Sequence, residues 1–144
     1  MKTAQIEQKK NHAEQNAEGH AESILALYKA YVALQDGAET AEADGDTFTD
    51  ADQVTDRVME SALSVGVRSD WHTPGDEDAK DEEFNILLTT GGPALRIVGD
   101  IGESGELEHQ DWGTPWTVYR PDCSSDDDWE AALEWFVGCF CLEC

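Results

Sequence analysis

The stretch that decides the fold is FNILLTTGGPALRIVG, residues 84–99. Two apolar runs, 84–89 and 94–99, flank the glycine–proline segment 91–93, and two such runs around a turn predict a pair of antiparallel strands. A phosphate-binding loop would carry its glycines at the start of a helix, whereas a proline and a strand pattern follow here. The stretch therefore predicts a hairpin at the centre of a small sheet.

The segments on either side extend this sheet. Residues 62–68 alternate in the manner of a strand, and residues 107–112 alternate more weakly after a glycine turn at 102–105. Short gaps between neighbouring strands favour an antiparallel meander over parallel crossovers. We expect a small antiparallel meander of three to four strands.

Helices are predicted before and after the sheet. Apolar residues recur at helical spacing over 20–35, and Gly37 follows as a stop signal. Asp50 can cap a second helix, and an acidic first turn from Ser125 or Asp126 begins a C-terminal helix. The apolar residues expected on these last two helices are Val54, Val58, Met59, Ala62, Trp129, Leu133, Phe136 and Val137. Helices, then a sheet, then a helix define an α+β fold.

The domain organisation follows from length and composition. A chain of 144 residues that is 40% hydrophobic and has five tryptophans can close one core. We expect residues 1–19, which are polar, to form a flexible or frayed helical N-terminus, and residues 20–144 to form a single acidic α+β domain. The apolar face of residues 24–34 could serve a homodimer as well as the core.

Charge is the strongest indication of function. The chain has 32 acidic residues, 9 basic residues and a net charge of −23. Residues 1–35 are neutral, with four of each sign, so residues 36–144 hold 28 acids against five bases. Self-repulsion on this scale opposes folding and needs a reason. DNA carries one negative charge per about 1.7 Å of its axis, and a compact acidic domain can present a comparable field.

This comparison predicts a protein that mimics nucleic acid and binds a host nucleic-acid-binding protein through its basic groove. Like charge disfavours direct binding to nucleic acid or to an anionic membrane. Acidic residues near the strands are the preferred candidates, because a rigid sheet can hold them in place. The expected partner-binding residues are Asp76, Glu77, Asp78, Asp81, Glu82, Glu83, Glu103, Glu106, Glu108 and Asp111.

An alternative to mimicry stays open, in which the charge does not take part in binding. The acidity could serve solubility or adaptation to high salt, although the neutral residues 1–35 argue against a bias that affects a whole proteome. Binding would then depend on an aromatic or apolar surface, since Trp and Tyr dominate many interfaces. The residues expected there are Trp112, Trp116 and Tyr119, together with the first helix.

Four cysteines lie close to the C-terminus: Cys123, Cys139, Cys141 and Cys144. Four thiolates match the count of a structural zinc site, but the C-x-C-x-x-C spacing differs from that of paired zinc knuckles. The alternative is that Cys139 and Cys141 are small core residues. No disulfide framework is expected, because these cysteines are clustered, and no cofactor is expected.

Catalysis and membrane insertion have little support in the sequence. No nucleophile-elbow, zinc-protease or Walker motif is present, so we do not expect an enzyme. No apolar run approaches the ~20 residues of a membrane span, and the first residues lack the apolar stretch of a signal peptide. We expect the protein to act in the cytoplasm.

The segments 85–99, NILLTTGGPALRIVG, and 110–117, QDWGTPWT, resemble small proteins encoded by phages and prophages. With the flanks 61–71 and 129–140 the resemblance covers about half of the chain. Proteins of this group have no assigned chemistry. The resemblance implies a phage origin and, through it, a role against host defence.

Several anti-CRISPR and anti-restriction proteins are acidic DNA mimics, and this chain is similar to them in size and charge. No motif of theirs matches residue by residue, so no functional residue is carried over. The resemblance implies an inhibitor in the host bacterial cell, with a CRISPR effector complex as the preferred target. Such effectors read short duplexes through a few basic side chains, which a small acidic surface can cover.

Overall fold

The computed structural model describes residues 12–69, 71–77, 81–90, 93–111, 113–121, 126–140 and 142. Three helices and seven strands occur within these ranges. The helices are α1 (His12–Gln35), α2 (Ala51–Ser61) and α3 (Asp126–Gly138). The strands are β1 (Ala41–Ala43), β2 (Asp46–Phe48), β3 (Ser64–Ser69), β4 (Asp81–Thr89), β5 (Ala94–Asp100), β6 (Glu106–Gln110) and β7 (Thr117–Tyr119). Asp78, Trp112, Cys123, Ser125, Cys141 and Cys144, named above, lie outside the described residues.

Strands β3 to β7 form one antiparallel sheet in the order β3-β4-β5-β6-β7. This meander, the helices and the C-terminal α3 confirm the predicted α+β fold. The predicted number of strands is wrong, because the meander has five and β1 and β2 form a separate hairpin. The fifth strand, β7, is only three residues long, and its aromatic surroundings concealed its strand pattern.

The two faces of the sheet differ because side chains alternate along each strand. Ile86, Ile97 and Leu107 lie opposite one another on β4, β5 and β6, and all three are completely buried. Their neighbours Asn85 and Val98 point to the other face. We call these the inner face and the outer face of the sheet.

A layer of helices covers the inner face. Helix α1 begins eight residues before the predicted start, because Ala13 and Ala17 continue its buried stripe. Helix α3 buries Trp129, Leu133, Phe136 and Val137, as predicted. Trp135 joins α3 to α1, with its ring centroid 5.7 Å from that of Tyr28 and 5.3 Å from that of Tyr31. Most of the apolar face of α1 is thereby used within this chain.

The segment 36–53 contains the β1–β2 hairpin and the start of α2. Its turn is Asp44-Gly45, and both residues have positive φ (54° and 77°), as a two-residue type I′ turn requires. Phe48 is buried, and the Ser23 hydroxyl of α1 donates a hydrogen bond of 2.6 Å to the Asp44 carboxylate. The hairpin is therefore anchored to α1 at its turn and to the hydrophobic core through Phe48.

Helix α2 begins where the sequence predicts. The Asp50 carboxylate accepts a hydrogen bond of 2.8 Å from the backbone N–H of Asp52 and so caps the helix. Val54 and Val58 are fully buried, whereas Met59 remains exposed. Only residues 62 and 63 separate α2 from β3, so α2 immediately precedes β3 in the sequence.

The turn between β5 and β6 depends on two glycines. A Cβ at Gly99 would lie 2.6 Å from the Cα of Gly105, and a Cβ at Gly105 would lie 2.7 Å from both the Phe84 ring and the Val98 carbonyl oxygen. Gly105 also has a φ of +74°, which disfavours other residues. The absence of side chains lets the turn close over Phe84.

Candidate functional site

The predicted residue Glu108 lies on the outer face of the sheet and pairs with Arg96. The guanidinium Nη2 of Arg96 is 2.8 Å from the Glu108 carboxylate, and both side chains are largely buried. The ring of Trp116 covers the guanidinium, with its centroid 3.9 Å from the Arg96 Cζ atom. Glu108 and Trp116, assigned to competing predicted interfaces, therefore belong to one intramolecular cluster.

Two more predicted carboxylates on the outer face also have arginine partners. Arg68 donates to Glu83 across β3 and β4, and Arg120 donates to Glu106 over 2.7 Å. These pairs are exposed, so each contributes little to stability. Together with the Arg96–Glu108 pair, they neutralise the negative charge of three predicted partner-binding residues, Glu83, Glu106 and Glu108.

The remaining predicted residues occupy the ends of the sheet. Asp76 and Glu77 are exposed in the β3–β4 connection, and Glu82 and Glu103 are exposed beside it. The β3–β4 and β5–β6 connections share one end of the meander, where the Ile101 N–H donates to the Glu82 carbonyl over 2.8 Å. Asp111 follows β6 at the opposite end. Asp81 begins β4, and only its backbone is described.

A concave acidic region lies between the β5–β6 turn and α3. Its volume is about 560 Å³, and five carboxylates line it. The sequence predicted two of them, Glu103 and Glu106. The structure adds Asp100 from the end of β5, and Glu130 and Glu134 from α3. We call this region the acidic cleft.

A longer run of exposed acidic residues lies elsewhere, on residues 36–60. This segment has nine acidic residues and a single base, Arg57, and all nine acids are exposed. They are Asp36, Glu39, Glu42, Asp44, Asp46, Asp50, Asp52, Asp56 and Glu60. We call the segment, which comprises the β1–β2 hairpin and α2, the acidic unit. The sequence analysis did not select these residues as the site, because it preferred acidic residues near the predicted strands.

Arg57 shows how closely the hairpin and α2 approach. It donates to Asp46, and its guanidinium carbon lies 5.3 Å from the centre of the Phe48 ring. The hydrogen bond with Asp46 and the charges of Asp44 and Glu60 raise the pKa of Arg57 above its ordinary value. Carboxylates from the turn, a strand and the helix thus surround one cation and outnumber it.

The acidic unit extends towards α1 through His20. Burial lowers the pKa of this half-buried imidazole, and the nearby Asp44 carboxylate offsets the effect only in part. His20 is therefore neutral at physiological pH and does not compensate the acidic turn.

Cys139 is the cysteine that the structure describes. It packs against the core at the end of α3, and burial raises the pKa of its thiol to about 11. A protonated thiol is a poor nucleophile, and the packing of Cys139 against the core is consistent with the role of a small core residue. Within the described ranges, no group of three or more metal-ligating side chains is placed to hold a metal ion.

We expect native Cys139 to react slowly with iodoacetamide at neutral pH, because the thiolate is the reactive form. Its reaction rate should increase up to about pH 11, whereas the unfolded chain should respond near the ordinary pKa of 9.0. The higher folded pKa also means that stability falls as the pH rises from 9.0 to about 11. Mass-spectrometric mapping of alkylated peptides, with urea-unfolded protein as control, measures the rate. Equal native and unfolded rates at neutral pH would contradict a buried thiol.

The other aromatic residue predicted at an interface, Tyr119, also has an intramolecular neighbour. Its ring lies edge-on to that of His109, with centroids 6.5 Å apart, and His109 is buried. Among the tryptophans that the structure describes, the fully exposed one is Trp71, which lies two residues after the end of β3. Among the described helices, none has the length and apolar character needed to cross a membrane.

Comparison with protein-family models, with curated proteins and with solved structures finds no match. Function is therefore inferred from the charge and geometry of the described residues. Two of their features stand out physically: the acidic unit, which concentrates charge, and the edge strand β3 with Trp71, which exposes apolar surface.

Proposed function

We propose that this protein is a non-enzymatic inhibitor of the anti-CRISPR kind, acting in the cytoplasm of a phage-infected host. In this proposal it binds a host nucleic-acid-binding effector through an acidic surface and prevents nucleic acid from entering the basic groove. The observation that carries the proposal is the acidic unit, with nine exposed carboxylates against one arginine. A Lys- and Arg-lined groove is the complementary surface.

The charges on α2 support a binding role because they cost stability. Asp52, Asp56 and Glu60 are separated by four residues each, so they form one row at intervals of about 6 Å along the helix. Like charges at this spacing destabilise a helix, and Glu60 also faces the negative end of the helix dipole. A basic partner would relieve both effects on binding.

The anchoring of the hairpin supports the proposal in a second way. The Ser23–Asp44 hydrogen bond holds the acidic turn against α1, and the buried Phe48 fixes the hairpin to the hydrophobic core. Carboxylates held in place before binding lose less conformational entropy when they meet a partner. A regular, rigid array of negative charge is what a groove shaped for phosphates would accept.

The test measures binding of labelled target DNA to purified, guide-loaded CRISPR effectors with and without the protein. We expect the protein to reduce DNA binding, and its effect to weaken as sodium chloride is raised from about 0.05 M to about 0.5 M, because salt screens surface charge. An interface dominated by apolar contacts would change little over this range.

Three variants, each with three fewer negative charges, locate the surface. Asp52→Asn/Asp56→Asn/Glu60→Gln should raise the concentration needed for inhibition by about tenfold or more. The matched control is Glu83→Gln/Glu106→Gln/Glu108→Gln, whose carboxylates already have arginine partners, and we expect it to have less effect. Glu103→Gln/Glu130→Gln/Glu134→Gln tests the acidic cleft. Inhibition that is insensitive to salt and to all three variants, or the absence of inhibition, would contradict the proposal.

A further inference from the structure

Strand β3 is an edge of the five-stranded sheet, and within the described residues it pairs with β4 alone. Edge strands expose unpaired backbone groups, and proteins usually protect them with lysine, proline or inward-facing charge. Residues 61–69 contain no carboxylate, no lysine and no proline, and Arg68 is their only charged residue. In a chain with 32 acids, this edge is unprotected and free of negative charge.

The same strand exposes apolar side chains on the inner face. Val65 lies opposite Ile86 and Val67 opposite Phe84, and both β4 residues are buried. Val65 and Val67 are nevertheless 44% and 42% exposed, because the helical layer does not cover β3. Five of the seven large exposed hydrophobic residues in the described chain fall between residues 59 and 71. They are Met59, Leu63, Val65, Val67 and Trp71.

Trp71 is an independent indication of a partner. Its side chain is fully exposed, two residues after the end of β3. Tryptophan is among the residues most enriched at binding hot spots, and clustered exposed apolar side chains mark interaction sites. A free edge, an apolar row and an exposed tryptophan therefore coincide within residues 63–71.

We propose that β3 accepts an extended segment of the basic partner as an additional strand of the sheet. Backbone hydrogen bonds would join this segment to β3, while its alternate apolar side chains would pack on Val65, Val67 and Trp71. This assignment rests on the proposed function, because it takes the positive charge of the partner from there. It adds the mode of binding: strand addition beside the acidic unit.

Charge selects a basic partner over a second copy of this chain. The acid-free stretch 61–69 follows Asp52, Asp56 and Glu60 of α2 and precedes Asp70 and the acidic residues 76–83. Lys or Arg at both ends of an added strand would meet these carboxylates. A second copy would bring a further charge of −23 to the same edge, and the repulsion opposes self-pairing.

The experiment uses the full chain and a labelled synthetic peptide in which valine alternates with threonine and lysines occupy both ends. We expect this peptide to bind more tightly than a version with glutamates at its ends or a version with the same composition in scrambled order. Two further peptides are N-methylated on the even or on the odd residues. Strand addition predicts that only one of the two loses binding, because alternate N–H groups face β3. Equal binding of both N-methylated peptides would overturn the proposal.

Variants of the protein complete the test. Trp71→Ala and Val65→Thr/Val67→Thr should each lower affinity for the lysine-ended peptide by about tenfold, and Trp71→Ala should leave the melting temperature unchanged. The matched control is Val118→Thr on the opposite edge strand, where the valine is also 44% exposed, and it should bind normally.

The α2 triple variant separates the two proposals. If it binds the lysine-ended peptide as wild type does while Trp71→Ala weakens binding, the strand site holds; the acidic-surface proposal then fails if the same triple variant also inhibits DNA binding as wild type does. If the triple variant weakens binding and the β3 variants do not, the strand site is wrong and the acidic surface stands. Dimers in sedimentation that Val65→Thr/Val67→Thr abolishes would assign the edge to a second copy and overturn the basic partner.

Discussion

Gly105→Ala is expected to destabilise the protein by about 2–5 kcal/mol, the sum of left-handed backbone strain and overpacking in a closed site. The new Cβ would lie 2.7 Å from the Phe84 ring and from the Val98 carbonyl oxygen, and neither the buried ring nor the backbone of β5 can move without disturbing the core. Urea unfolding followed by tryptophan fluorescence measures the change in the free energy of unfolding.

Gly113→Ala is the matched control for this variant. Gly113 has nearly the same φ, +75° against +74°, but a Cβ there would meet nothing within 4 Å. It should show the backbone strain alone, about 1–2 kcal/mol. Gly99→Ala and Gly66→Ala form a second pair on strands, of which only Gly99 is crowded. Equal losses at Gly105 and Gly113 would mean that the β5–β6 turn does not close over Phe84 as described.

Ile97→Ala is expected to cost about 2–5 kcal/mol, because it removes a buried side chain from the middle of the inner-face row. Ile97 lies between Ile86 on β4 and Leu107 on β6, and all three are inaccessible to solvent. Neighbours on both sides are fixed by their strands, so the cavity cannot collapse easily. The same urea unfolding measurement gives the loss.

The control for Ile97→Ala is Val98→Ala, one residue along the same strand. Val98 points to the outer face and is only half-buried. We expect its replacement to cost less than half as much as that of Ile97. A larger loss at Val98 would indicate that the outer face is covered by a further layer, and would remove the basis for calling it solvent-facing.

Charge is segregated in this molecule. On the outer face of the sheet, Arg68, Arg96 and Arg120 compensate the carboxylates beside them. In the acidic unit, the single Arg57 is outnumbered nine to one. The chain thus places three of its five bases beyond residue 35 on one face and leaves another face almost purely negative. Acidity that serves only solubility needs no such segregation, so this arrangement supports the binding role proposed above.

Local sequence signals were sufficient for several elements. The apolar runs around residues 91–93 predicted β4 and β5, Asp50 predicted the start of α2, and the stripe ending at Val137 predicted α3. Each of these signals involves residues that are close together in the sequence, so no contact between distant segments was needed to predict the element. The α+β class followed from their order.

Other elements escaped because their signals are weak. Ala13 and Ala17 extend α1, but alanine adds little to a hydrophobic pattern. The β1–β2 hairpin has an Asp44-Gly45 turn flanked by Ala41, Ala43 and Phe48 at alternate positions, a recognisable signal that the surrounding acids obscured. β7 lies within an aromatic segment and has only three residues, which is too short to show the alternation of a strand.

The sequence by itself determined the amount of charge, its concentration beyond residue 35, and the order of helices and strands, because these depend on composition and on contacts between near neighbours. Only the tertiary structure decided which carboxylates remain uncompensated and which apolar side chains remain uncovered. Arg68 and Arg96 compensate the negative charges of Glu83 and Glu108. They lie 15 and 12 residues away in the chain, and the register of the strands brings them close. Val65 and Val67 read like core residues, yet they are exposed, since burial depends on where the helical layer ends.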